Sequence, residues 1–361
     1  MSAERYKQAA ESLADGLRGG IYAKDGKLLG EYELAKRLGV ARETARKAIA
    51  ELVRRGLVER RRGVGTFLTE RGKRRSGLIA LMIPDVSSAE IFKVISAEIE
   101  RLGRANGYQF RPVAFRKRAV EESALEARRL ARQLVVECVE GVIFRPFLDE
   151  RMAQTNREVV RIFQNAEVPV VLIDSDIAEP PDRSECDLVA VDNISAGRRV
   201  AEHLIEKGRR RVAFLMNGLS MRSNANWRNR LFGVAGELAL GGIESAVKVL
   251  DCRPDDQEAL ARLYRSHFRP DAIVCGNDET AVILMRTLQA IGRRIPTDVA
   301  VVGFDDAACA ASATPPLTTV RQPAKLIAKT ALRMLFARIA NPKIEVREAY
   351  LPAPLVVRRS T

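Results

Sequence analysis

Cysteine, histidine and long apolar runs are all scarce in this chain, and each scarcity closes a class of function. The 361 residues hold five cysteines and two histidines. Cys138, Cys186, Cys252, Cys275 and Cys309 are far apart and form no CxxC, which excludes a clustered zinc site and gives no sign of a disulfide framework. Unpaired thiols are expected, and with them a reducing, cytoplasmic setting. No run reaches the roughly 18 apolar residues that a membrane helix requires, so no membrane partner is expected. The opening residues, MSAERYKQAAESLADG, lack the apolar segment of a secretory signal. No G-x-x-x-x-G-K-[ST] loop, G-x-G-x-x-G turn or Ser/His/Asp order is present. His203, in AEHLIEKG, stands alone and is read as a packing or surface residue. Catalytic residues, metal and cofactor are therefore all expected to be none.

Charge is plentiful and unevenly placed. The chain is 47% hydrophobic, enough for a sizeable core, and carries a net +14. Residues 1–76 hold nineteen Lys and Arg against ten Asp and Glu, a net of +9, while the other 285 residues hold 41 against 36. A basic module joined to a nearly neutral one suggests a polyanion-binding head on a differently employed body. A solvated basic face accounts for the charge equally well on its own.

Patterning refines the head. Tyr6, Ala9, Ala10, Leu13 and Leu17 recur at helical spacing. Glu33 to Leu38 predicts a short helix, Gly39-Val40 a break, and Arg42 to Arg54 a second helix with Ala45, Ala48, Ile49 and Leu52 inward. Leu57-Val58 and Thr66-Phe67-Leu68 flank a turn at Gly63-Val64-Gly65, a β-hairpin with a basic tip. A helix, a tight turn and a second helix form a helix-turn-helix, whose second helix lies in the major groove of duplex DNA. Its outward positions are Arg42, Glu43, Thr44, Arg46 and Lys47. Arg60, Arg61 and Arg62 stand before the hairpin turn, placed for phosphate or the minor groove.

Residues 70–77 are charged, contain glycine and lack an apolar anchor, and are read as a linker after a head spanning 1–69. From Leu78 to Thr361 the texture changes. Apolar runs such as LIALMIP, GVIFRP, VPVVLID, LVAVDN, RVAFLM, AIVCGND and VAVVGFDD alternate with amphipathic helical stretches. Strands that are apolar throughout belong to parallel sheets covered on both faces. Seven or more such units predict two α/β lobes with a cleft at the carboxyl ends of the strands.

At this point two resemblances are specific. KLLGEYELAKRLGVARETARKAIAELVRRGLVERRRGVGTFLT resembles the winged-helix domain of the GntR family, including its G-x-G-T-F wing. The resemblance makes Arg42, Thr44 and Arg46 contacts to bases and phosphates, with Arg62 and Gly63 at the wing. Leu29-Gly30-Glu31 stands where the family has Leu-Pro-Ser-Glu, and Ala41 replaces its usual Ser at the start of the recognition helix. The body, 78–361, resembles the periplasmic-binding-protein-like domain of the LacI/GalR family through IALMIPDVSS, VEGVIFRP, VAVDNISAGRRVAEHLIEKGRRRVAFL, RNRLFGV, VAVVGFDD and PPLTTVRQP. The combined layout is that of arabinose-repressor-type regulators. The resemblance implies an effector site lined by Asp85, Asp174, Asn226, Arg230, Asn277 and Asp305. Sugar hydroxyls suit that set of carboxylates, amides and a forked guanidinium. Any one Asp at a strand end is equally a helix cap, and Asp278 is placed to cap the helix beginning at Glu279. Trp227 is read as a neighbour of the site or a packing residue.

The expected function is a sequence-specific transcriptional repressor whose affinity for a double-stranded operator is modulated by a small sugar. Two heads imply a homodimer on a palindromic site, with helix 323–341 expected to contribute to pairing. Three alternatives stay open: a sugar receptor without a DNA role, a regulator answering a nucleoside or nucleobase co-repressor, and an enzyme on an α/β scaffold.

Overall fold

The computed structural model describes residues 2–18, 22–24, 26–69, 72, 77–84, 90–113, 115, 119–217, 224–243 and 247–361. At the N-terminus, α1 (Ser2–Arg18) buries Ala9, Ala10, Leu13, Ala14 and Leu17 along one face. Two short strands follow, β1 (Ala23–Lys24) and β2 (Lys27–Leu28). Then α2 (Glu31–Leu38) and α3 (Arg42–Arg54) pack on each other and on α1. Their shared core is Leu13, Leu17, Leu34, Ile49, Leu52 and Leu57, so the predicted inward positions are the buried ones. The hairpin of β3 (Val58–Arg61) and β4 (Gly65–Leu68) pairs Val58 with Leu68 and Arg61 with Gly65. It joins β1 and β2 in a four-stranded sheet of order β1-β2-β4-β3. The two-residue strands β1 and β2 are too short to leave a periodic signal, and sequence patterning misses them.

The rest forms two parallel-sheet lobes. The first sheet contains β5 (Leu78–Met82), β6 (Gln109–Val113), β7 (Gly141–Phe144), β8 (Val170–Ile173) and β9 (Asp187–Val191). Around it lie α4 (Glu90–Ala105), α5 (Val120–Val136) and α6 (Ala153–Asn165). Strands β7 and β8 are buried at every position, as apolar strands between two helix layers must be. Each fully buried side chain here, such as Ile79, Val171 or Phe163, contributes about 1.5–3 kcal/mol relative to exposure.

The chain crosses to the second lobe after β9. There α7 (Asn193–Glu206), β10 (Val212–Leu215), α8 (Ala225–Leu240), β11 (Lys248–Leu250), α9 (Gln257–Arg265), β12 (Ala272–Cys275), α10 (Asp278–Ala290), β13 (Ala300–Asp305), α11 (Ala308–Ser312) and β14 (Thr318–Arg321) build the second sheet and its cover. The chain then returns. Helix α12 (Ala324–Ala340) packs on α4, β7, β8 and β9, and β15 (Glu348–Leu351) extends the first sheet parallel to β9. A third crossing brings β16 (Leu355–Val356) antiparallel to β14. The sheet orders are β15-β9-β8-β7-β5-β6 and β11-β10-β12-β13-β14-β16. Helix α12, expected to serve pairing, uses its apolar face inside its own lobe. Ile327, Ala328, Ala331, Leu332, Leu335 and Ile339 are buried, leaving Lys325, Leu326, Lys329 and Arg333 exposed.

One contact within the second lobe positions the site. Helices α7 and α8 cross backbone to backbone at Gly197 and Gly233. A Cβ on Gly197 would stand 2.2 Å from the Arg230 carbonyl oxygen, and one on Gly233 2.1 Å from the Ile194 carbonyl oxygen. Only glycine permits that approach. It brings Asn193, at the start of α7, within reach of Asn226 and Arg230 on α8.

Candidate functional site

The head presents cations on two adjoining surfaces. On α3, Arg42, Arg46 and Lys47 are exposed and Thr44 is half-buried. Arg42 stands 3.6 Å from Glu31, Arg46 pairs with Glu43 at 3.1 Å, and Arg60 on the hairpin reaches the same Glu31 at 3.6 Å. One carboxylate thus lies between the start of the recognition helix and the wing. Arg61 lies 4.7 Å over the Phe67 ring and pairs with Glu59, while Arg62 is exposed beside Gly63, whose φ of 74° turns the wing. All these pairs are at least partly solvent-exposed and worth little, so the guanidinium groups are not held to these partners.

The second candidate lies between the lobes, at the carboxyl ends of the parallel strands, where α/β folds bind ligands. A cleft of about 260 Å³ is lined there by Asp174, Asn226, Arg230, Asn277 and Asp305, together with Phe92, Arg145, Asn217, Trp227 and Gln322. Five of the six residues expected from sequence are thereby brought together; Asp85 lies outside the described residues. Asp174 follows β8, Asn277 follows β12 and Asp305 ends β13. Three residues of the cleft, Asp174, Asn217 and Asp305, have positive φ (75°, 51° and 117°), a strained backbone that clusters at functional sites.

Arg230 is 3% exposed. Its Nε donates to the Asn193 side-chain oxygen at 2.7 Å, its Nη1 to the Gly276 carbonyl, and its guanidinium lies 4.4 Å over the Phe304 ring. Burial pulls its pKa down, and the carboxylates of Asp305, Asp174 and Asp278 oppose that pull. Across the cleft, Arg145 donates to Asp174 at 3.0 Å and to the Pro84 carbonyl at 3.2 Å, and lies 4.0 Å over Phe92. Asn226 donates to the other Asp174 oxygen at 2.8 Å, so a hydrogen bond bridges the two lobes. Gln322 donates to Asp305 at 2.6 Å. Burial pushes Asp305 up to about 6 against the attraction of Arg230.

Asp278 is not the helix cap expected of it. Asn277 caps α10, its side chain accepting from the Thr280 N–H at 2.9 Å. Asp278 instead turns inward, 1% exposed, and accepts from the Thr319 hydroxyl and the Ala307 N–H. Burial first, and then the charge of Asp305, push it up to about 8. Sequence patterning also missed Arg145, Phe92, Gln322 and Asn193. Arg145 lies within the apolar run GVIFRP, and Gln322 within PPLTTVRQP, a segment that carries only a resemblance, so neither stood out by pattern. His203 is a packing residue, 8% exposed, with Nε2 2.8 Å from the Thr361 hydroxyl. Trp227 lines the cleft.

Among the described residues no helix is long and apolar enough to cross a membrane, and no group of His, Cys, Asp and Glu is arranged to hold a metal ion.

Comparison with known proteins finds a separate match for each end of the chain. Residues 5–68 match the family of bacterial regulatory proteins of the gntR type, and residues 201–361 match the periplasmic binding protein-like domain. The HTH-type transcriptional regulator CelR of Thermobifida fusca is 31% identical over 88% of this chain and 89% of its own. The arabinose metabolism transcriptional repressor of Geobacillus stearothermophilus is 26% identical over 99% of this chain and 97% of its own. Among solved structures, a transcriptional regulator CelR–cellobiose complex superposes with a TM-score of 0.67 at 26% identity, covering 97% of this chain and 99% of that one. The lac repressor dimer bound to operator, at 22% identity and a TM-score of 0.65 over 82% of this chain and 99% of that one, shares the fold. The chain belongs to the helix-turn-helix transcriptional regulators that join a gntR-type head to a periplasmic-binding-protein-like body.

Proposed function

We propose that this regulator is a repressor controlled by a sugar. In this reading residues 1–69 bind a double-stranded operator through Arg42, Thr44, Arg46 and Lys47 on α3 and Arg61, Arg62 and Gly63 at the wing. Residues 70–77 connect the head to the body, and the body, 78–361, takes the sugar between its lobes. Two copies bind two half-sites of a palindrome. The sugar favours one lobe arrangement, alters the spacing of the heads and releases the operator, with a coupling of about 1–3 kcal/mol, or roughly 5–150-fold in affinity.

The observation that carries the reading is the balance of the cleft. Two guanidinium groups face two carboxylates, with amides between them. Such a site offers many directed donors and acceptors with little net charge, which suits a neutral polyol. The named functions of similar proteins, an arabinose metabolism repressor and a regulator bound to cellobiose, lie in the same class. We read the chain as a non-enzyme, because the cleft side chains are tied to one another as binding groups. The cytoplasm is the compartment this role requires.

The test is a thermal-shift panel of sugars, sugar acids, sugar phosphates and nucleobases on the full chain. A ligand at 100 times its Kd adds about 2.7 kcal/mol of stability. Binding of the DNA upstream of the regulator's own gene is then measured with and without the best hit. A sugar that both stabilises the chain and weakens operator binding is the expected result. A nucleobase hit, or a sugar that leaves DNA affinity unchanged, would overturn the reading.

A further inference from the structure

Ile91 and Thr280 line the cleft from opposite lobes, and the residue before each is a glutamate. Glu90 opens α4 in the first lobe, and Glu279 stands in the first turn of α10 in the second. Both are exposed and neither lines the cleft, so they stand at its rim. There Glu90 reaches across to the second lobe and accepts from the Ala308 N–H, at the start of α11, at 3.0 Å.

This bridge differs from the one between Asn226 and Asp174 in what a ligand does to it. Asn226 and Asp174 line the cleft, so the hydroxyls of an effector compete for the same atoms. Glu90 and Ala308 lie outside the lining, and their bond is compatible with any occupant. A hydrogen bond across two lobes forms only while the lobes are together. An effector held by both walls binds that same arrangement, and its apparent affinity rises with the fraction of molecules already in it. The rim also carries an opposing charge. Burial first, and then the charge of Glu90, hold the Glu279 carboxyl above its ordinary value, while Lys93, one turn after Glu90 on α4, pulls the other way. Bringing the lobes together therefore brings two carboxylates together, and that repulsion works against the Glu90 bridge.

We propose that Glu90 is a positioning residue for the effector. It clasps the lobes through the Ala308 N–H, Glu279 opposes it, and the balance of the two sets how tightly and how long the cleft holds a sugar that neither residue touches. This rests on the sugar-responsive reading above.

The test uses the full chain with arabinose and cellobiose as probes, by calorimetry and stopped-flow dissociation. Glu90→Ala is expected to weaken binding about threefold, the lower range for an exposed hydrogen bond, chiefly through faster release. Glu90→Gln keeps an acceptor and removes the repulsion, so it is expected to bind at least as tightly as wild type. Glu279→Gln is expected to tighten binding about twofold. The melting temperature should not move in any of the three, because the positions are exposed. One readout needs no sugar: amide exchange at Ala308 should quicken in Glu90→Ala and not in Glu279→Gln. Affinity and Ala308 exchange both unchanged in Glu90→Ala would overturn the clasp, as would Glu90→Ala and Glu279→Gln shifting affinity in the same direction. Binding of neither sugar would count against the parent reading, and Ala308 exchange would then decide the clasp by itself, quickened exchange supporting it and unchanged exchange overturning it.

Discussion

The head and the cleft both rely on arginine, but they hold it in opposite ways. On the head, exposed arginines pair with neighbours on their own helix, as in Arg37 with Glu33, Arg46 with Glu43, and Arg54 with Glu51, or with Glu31 on α2, as Arg42 and Arg60 do. Pairs of this kind stabilise by a few tenths of a kcal/mol, so the fold does not depend on them and a phosphate displaces them at little cost. In the cleft Arg230 and Arg145 are buried, and every neighbouring carboxylate is matched to them or to an amide. There a change to one partner leaves another charge stranded. The same residue type is thus expendable for folding in one region and structural in the other.

Replacing Arg230 sharpens that contrast most. Arg230→Ala removes the cation that attracts Asp305 and the donor to Asn193, and breaking a buried charge cluster costs about 3–5 kcal/mol. The body should melt well below wild type, with the fluorescence of Trp227, the chain's single tryptophan, as reporter. The response to sugar should vanish, while operator binding below the melting point survives. A variant that keeps a normal sugar response would remove Arg230 from the site.

Acidity separates the regions next. Glu51 in the head is held at about 2 by the hydrogen bond from Arg54, despite partial burial. Its stabilisation is complete above its ordinary value of 4.5 and is lost only as pH falls toward 2. Asp278 and Asp305 in the body have the opposite sign. Their folded values, about 8 and about 6, lie above the ordinary 3.8, so the native state binds more protons than the unfolded chain. Their contribution is complete below that ordinary value and is lost as pH rises through about 6 and then 8. The Trp227-reported melting temperature should therefore fall from pH 5.5 to 8.5. Asp278→Asn should flatten the upper part of that slope. A body whose stability holds or rises over this range would contradict the buried-carboxylate account.

These residues also show what patterning along the chain can and cannot reach. Strands such as VVLI and AIVC announced themselves as uniformly apolar runs, and the polar residues that end them, Asp174 and Asn277, were visible because a sheet edge follows. Arg145 was not, although it too follows a strand. A lone arginine before Pro146 looks like surface, and its burial depends on Phe92, some fifty residues earlier, and on Asp174, 29 residues later. Asp278 failed for a related reason. Asn277 and Asp278 are both good caps, and only the distant Thr319 and Ala307 decide which one turns inward. The edge strands β6 and β11 escaped because QFRPV and KVL carry too few buried positions to repeat.

On the head, smaller effects are expected because its charges are exposed. Arg42→Ala should weaken binding to the specific operator by about 1–3 kcal/mol if Arg42 reads a base, with the sugar response and the Trp227-reported melting temperature unchanged. Equal weakening on random DNA would make it a phosphate contact. Either result, obtained without loss of body stability, keeps the two regions distinct. A fall in the body's melting temperature would break the comparison.

The smallest effect concerns the start of the recognition helix. Ala41 caps α3 in an extended conformation (φ −66°, ψ 148°) and offers no side-chain acceptor, so the Thr44 N–H is left to the Ala41 carbonyl at 2.9 Å. The backbone already has the geometry an N-cap needs, and only an oxygen is missing. In Ala41→Ser the hydroxyl can accept from the Thr44 N–H, and such caps contribute about 0.5–2 kcal/mol, typically ~1. Ala45, Ala48, Ile49 and Leu52 anchor the rest of α3, so the gain should appear locally, as amide exchange over 42–54 slowed by about fivefold. The cleft should be unaffected, because no buried charge is involved. Unchanged exchange would mean that packing on α1 and α2, and not the cap, already limits the opening of α3. The head would then share with the cleft a stability set by tertiary contacts, and differ from it only in the exposure of its arginines.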